Sequence, residues 1–105
     1  MNIKFNIISV DNNYSYEGKA IINRDLIIID DEYKYIIDKT TKSISKNSGE
    51  IKLDFINNKI YLEHNKYSLD ISINKCIFSD NIIDVEYTLG DNKIEIKMEV
   101  GDSNE

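Results

Sequence analysis

The sequence predicts an all-β protein: a small antiparallel up-and-down β-barrel of about 8–10 strands, with a two-sheet β-sandwich as the alternative. Three observations carry this. Apolar residues tend to fall at every second position, the period of a strand with one dry face. The apolar choice is isoleucine, 21 Ile against 5 Leu and 1 Ala with no Pro, and branched side chains suit a pleated surface better than a helix. Clusters of Asn and Asp, which tolerate turn conformations, interrupt the pattern about every ten residues.

The elements follow in order. Ile3, Phe5 and Ile7 alternate with Asn2, Lys4 and Asn6. Beyond the turn Asp11-Asn12-Asn13, the residues Tyr14, Tyr16, Gly18, Ala20 and Ile22 share a face. Residues 26–29 and 33–37, on either side of Asp30-Asp31-Glu32, are apolar on both faces, as strands covered on two sides are. After the turn at residues 46–49, Ile51, Leu53 and Phe55 oppose Glu50, Lys52 and Asp54. Past His64-Asn65-Lys66, the residues Tyr67, Leu69, Ile71 and Ile73 oppose Ser68, Asp70, Ser72 and Asn74 as one strand. Ile83, Val85, Tyr87 and Leu89 form the next dry face, and Ile94, Ile96, Met98 and Val100 the last. No ten-residue stretch shows the helical period, so helix content below about 15% is expected. Closure would remove the sheet edges that template aggregation, which is why a meander of this length points to a barrel. Residues 1–100 are expected to form this one domain, and the acidic residues 101–105 a disordered tail.

Thirteen basic and nineteen acidic residues leave a formal charge of -6. The lysines are scattered among acids and Asn, so direct nucleic-acid binding is disfavoured. No apolar run approaches the length of a membrane span and no signal-like segment stands at the start, so a soluble, cytoplasmic protein without membrane contact is expected. Cys76 is the single cysteine, which excludes an internal disulfide and suits a reducing compartment. Its apolar neighbours Ile77 and Phe78 point to an inert thiol.

The order of strand patterns carries a resemblance. Tyr16-Glu17-Gly18-Lys19, Thr40-Thr41 leading to Ile44, Gly49 to Phe55, Tyr67 to Ile73, Val85 to Leu89 and Ile94 to Val100 together resemble the YwiB-like, calycin-type β-barrel proteins of bacteria. The resemblance implies a barrel and leaves function open. Where that family commonly has a Thr-Pro-Tyr-Gly-like turn, this chain has His64-Asn65-Lys66-Tyr67.

No catalytic constellation stands out, so no enzyme and no cofactor are expected. His64 lies in a turn without an orienting partner, and Asp30, Asp31 and Glu32 lack the alternating spacing of a calcium loop. Tyr14, Tyr16, Tyr67 and Tyr87 are the candidate ligand-binding residues: inward phenols would give a core with polar handles, as cavities for small, partly apolar ligands have. The first functional expectation is therefore a non-catalytic binding barrel with a small molecule in a tyrosine-lined interior. The alternative is an acidic protein-interaction module or inhibitor of the phage or mobile-element type, acting on a basic protein partner. Its candidate contact residues are Asp30, Asp31, Glu32, Tyr33 and Tyr35, in the two-faced apolar region where a homodimer contact is also expected. Gathering Asp25 and Asp38 beside the three central acids would give it an imitation of nucleic-acid phosphates.

Overall fold

The computed structural model describes residues 2–101. The acidic tail beyond Gly101 lies outside the described residues. Among the described residues twelve strands follow one another: β1 (Asn2–Ile8), β2 (Asn13–Lys19), β3 (Ile21–Asn23), β4 (Leu26–Asp30), β5 (Lys34–Asp38), β6 (Ser43–Lys46), β7 (Ile51–Asp54), β8 (Lys59–Leu62), β9 (Tyr67–Asp70), β10 (Ser72–Phe78), β11 (Ile82–Leu89) and β12 (Asn92–Val100). No helix occurs among the described residues. The all-β expectation therefore holds.

The closed barrel does not. The strands form two separate antiparallel sheets, one of five strands in the order β10-β11-β12-β1-β2 and one of seven in the order β3-β4-β5-β6-β7-β8-β9. This is the two-sheet arrangement of the alternative. Closure requires tilted strands with enough rungs to absorb the stagger, and the two ends of the seven-stranded sheet have only three and four residues. The described residues instead divide into two compact units, residues 2–19 with 72–101 and residues 20–71. Both alternating runs read as single strands break at this boundary: the run through Tyr14 and Ile22 splits at Ala20, and the run through Tyr67 and Ile73 splits at Ile71. Ala20 and Ile71 are both buried.

In the five-stranded sheet the first and last strands of the chain pair side by side, Ile3 opposite Val100 and Ile7 opposite Ile96. One row of apolar side chains crosses every strand: Tyr16, Phe5, Met98, Ile83 and Phe78. Phe5, Met98 and Ile83 in its centre are fully buried, each such side chain contributing about 1.5–3 kcal/mol. The edge strand β10 carries an irregularity in register between Ile73 and Lys75.

The seven-stranded sheet is an uninterrupted meander. Its central row is again one residue per strand: Ile22, Ile27, Ile37, Ile44, Leu53, Ile60 and Leu69. Ile27 to Ile60 are buried and Leu69, on the last strand, is not. The hairpins of this sheet repeat at a spacing of sixteen residues. Asn47, Ser48 and Gly49 in one loop have φ of 51°, 59° and 94°, and Glu63, His64 and Asn65 in the next have 50°, 55° and 71°. Each loop closes with the same backbone bond, Glu50 N–H to Asn47 O at 3.3 Å and Lys66 N–H to Glu63 O at 3.2 Å.

Candidate functional site

Among the described residues no group of three or more His, Cys, Asp or Glu side chains is placed to hold a metal ion. His64 is exposed in the β8–β9 loop, and Cys76 is half-buried on β10. No helix of the described residues is long and apolar enough to cross a membrane.

The four tyrosines proposed for ligand binding are divided. Tyr14, Tyr16 and Tyr87 share the buried side of the five-stranded sheet. Tyr14 meets Phe5 edge to face at 6.2 Å, and the Tyr16 hydroxyl donates to Lys19 O at 2.7 Å. Tyr87 is buried, which pushes its phenol up to about 12. Tyr67 belongs to the other unit, on β9, and is 54% exposed.

The five candidate partner-binding residues do come together at the β4–β5 hairpin. Asp30, Asp31 and Glu32 are exposed at its tip. Tyr33 lies half-buried beneath them, edge to face with Tyr35 at 6.4 Å and under the Lys46 ammonium at 4.0 Å. Tyr35 is a core residue: burial first, then Tyr33 and Glu32, push its phenol up to about 12. Asp25 and Asp38 do not join this cluster. They sit at the opposite end of the same hairpins, where the Thr40 hydroxyl donates to Asp25 Oδ2 at 2.7 Å and the Thr40 N–H to Asp38 Oδ1 at 2.9 Å. The five acids are thus spread over both ends of the strands, and the phosphate-like array is not formed.

That opposite end is a polar margin which reading strand by strand overlooked. A groove of about 650 Å³ runs between Arg24, Asp25, Asp38 and Thr40, and a second of about 340 Å³ between Thr41, Ser43, Asp54 and Asn57. The same device builds both walls. Asp38 Oδ1 accepts from the N–H groups of Thr40 and Thr41, and Asp54 Oδ1 accepts from those of Ile56 and Asn57, both at 3.0 Å. The signal was the sixteen-residue spacing of Ile37-Asp38, Leu53-Asp54 and Leu69-Asp70, since an Asp that bonds its own backbone two residues on sets a turn.

The strand edge at β9 is the most open feature of the seven-stranded sheet. All four of its residues are exposed, among them Tyr67 and Leu69 at 54% and 46%. Its pairing with β8 runs Leu62 to Tyr67 and Ile60 to Leu69, and beyond the strand the Ile71 N–H donates to Asn58 O at 3.0 Å. Backbone bonding alternates along an antiparallel strand, so residues 67, 69 and 71 bond β8. The N–H and C=O groups of Ser68 and Asp70 then point to the free edge. Lys59 Nζ meets Asp70 Oδ1 at 2.5 Å on the exposed face, and the Lys66 ammonium stands 5.7 Å from the Tyr67 ring.

Compared with known proteins, the chain matches no family model, no curated relative and no solved structure. The resemblance to the YwiB-like family rests on the strand pattern alone.

Proposed function

We propose that the protein is a non-catalytic interaction module that takes up a strand of a protein partner along β9. The observation that carries this reading is the exposed edge itself: unpaired backbone groups at Ser68 and Asp70 next to the exposed apolar side chains of Tyr67 and Leu69. Strand addition uses these two ingredients, main-chain bonds for affinity and alternate side chains for specificity. A bulge or other break in register is one device by which an unused edge is guarded. The edge strand β10 has such an irregularity, whereas β9 pairs with β8 in unbroken register. The small ligand of the barrel reading has lost its closed interior, so the proposal moves from cavity to edge.

The test uses Ser68→Pro, which removes an N–H that points away from β8 and leaves the β8–β9 ladder intact. Native protein immobilised and passed over lysate of its host is expected to retain a protein that the Ser68→Pro variant does not. Equal retention by both would overturn the reading.

A further inference from the structure

We infer that the strand added at β9 is β9 of a second copy of this chain, antiparallel, with Ser68 on the two-fold axis. This rests on the interaction-module reading and specifies the partner within it. The backbone of the edge fixes the parity of the pairing, and two features of its side chains select one register within it. The outward-pointing backbone groups belong to even-numbered residues, so hydrogen-bonded pairs must join even to even. Centring on Ser68 pairs Ser68 with its counterpart and Lys66 with Asp70. The N–H of Lys66 is already engaged with Glu63 O. What remains is a set of four bonds: Ser68 N–H to Ser68 O in both directions, and Asp70 N–H to Lys66 O in both directions.

The side chains agree with this pairing. On one face Tyr67 stands opposite Leu69 twice, which covers the two large apolar side chains that β9 leaves exposed. Lys66, the turn residue just before β9 whose ammonium stands 5.7 Å from its own Tyr67 ring in the single chain, comes opposite Asp70 twice and on pairing turns to it, an attractive cross-strand pair. Asp70 is 85% exposed and uses Oδ1 for Lys59, which leaves Oδ2 to receive the second ammonium. Sliding one strand by two residues either way sets Ser68 against Lys66 or Asp70 and loses the Lys66–Asp70 pairs. The contact is isologous, as a two-fold dimer requires, and it joins the two seven-stranded sheets into one continuous sheet without an open β9 edge.

The experiment is sedimentation equilibrium of the full chain over a concentration series, with the far-UV spectrum of every variant as a fold control. Native protein is expected to dimerise and Ser68→Pro to remain monomeric with an unchanged spectrum. Lys66→Asp places like charges opposite each other twice, as does Asp70→Lys, and each is expected to weaken dimerisation about tenfold or more. Mixed in equal amounts, these two variants restore both attractive pairs, so the mixture is expected to form heterodimers of about native affinity. A merely structural role for Lys66 or Asp70 would not produce that recovery. A native chain that stays monomeric, or a dimer that Ser68→Pro leaves intact, would overturn the inference. A monomeric native chain whose capture of a foreign protein is still lost in Ser68→Pro would overturn self-pairing while the module reading stands. A monomer with no such capture would remove both.

Discussion

Tyr87 and Tyr35 are held as neutral phenols. Burial raises both to about 12, with Tyr33 and Glu32 adding to the effect at Tyr35. The unfolded chain ionises its tyrosines near 10.0, so the folded state binds protons that the unfolded state releases between those values. The stability these phenols contribute is complete below pH 10 and is lost as pH rises towards 12. In urea titrations the native midpoint is expected to fall more steeply over that window than the midpoint of Tyr87→Phe, whatever their offset at neutral pH. Parallel slopes would contradict the burial assigned to Tyr87. Asp54 shows the opposite sign. Burial pushes its carboxyl up, but the Asn57 side chain, the N–H groups of Asn57 and Ile56 and the charge of Lys52 outweigh this and hold it below 3.8. A depressed carboxyl stabilises above its unfolded value and ceases to do so as pH falls through the folded one. Asp54→Ala is therefore expected to cost about 1 kcal/mol at pH 7 through lost hydrogen bonds. Denaturant curves should show that difference closing as the pH is taken down below 3.8.

At the scale of the element, the β6–β7 and β8–β9 loops ask the same backbone path of very different residues. Gly49 occupies its left-handed position with no atom beyond its own chain neighbours within 4 Å of where a Cβ would stand. Gly49→Ala thus isolates backbone strain and is expected to destabilise by about 1 kcal/mol. The following loop places Glu63, His64 and Asn65 in that region without a glycine. His64→Gly is expected to stabilise by about 1 kcal/mol in chemical denaturation, because it relieves the Cβ clash of a left-handed residue. An unchanged midpoint would mean that the loop is not left-handed in solution. These loops show what sequence patterns convey. The dry faces of Ile51-Leu53, Ile83-Val85-Tyr87 and Ile96-Met98 were legible because alternation is a local property of a strand. The turns were legible from Asn and Asp. The repeat of hairpins left one trace, the sixteen-residue spacing of Asp38, Asp54 and Asp70, and otherwise shows only in φ angles shared by unlike residues such as Asn47-Ser48-Gly49 and Glu63-His64-Asn65. The β9 edge was equally hidden: Tyr67 and Leu69 read as core residues, and only strand order reveals that no neighbour covers them.

Over the whole molecule the decisive step is one that alternation cannot encode. A barrel and two open sheets ask for the same period of two, and they differ in which strands become neighbours. Here the break at Ala20 sends the chain out of the five-stranded sheet from its β2 edge, and the break at Ile71 returns it at the opposite edge, β10. Residues 20–71 are thus inserted between two edges of a sheet whose centre is made by the first and last strands, β1 and β12. That pairing continues past the strands, where the Gly101 N–H donates to Asn2 O at 2.7 Å. Positions 2 and 101 are therefore close enough to be joined by a short glycine-serine linker, and the order of the chain becomes interchangeable with its connectivity in space. A circular permutant joined in this way and reopened between Asp31 and Glu32, exposed at the β4–β5 tip, keeps every strand pair. It gives up the turn bond from Asp31 N–H to Tyr33 O and is expected to fold with a melting temperature within about 5–10 °C of the native chain. Reopened between Ile96 and Lys97, the same ring cuts β12 where it bonds both β1 and β11, and that permutant is expected not to fold. If both permutants melted alike, the terminal strands would not be the centre of the five-stranded sheet.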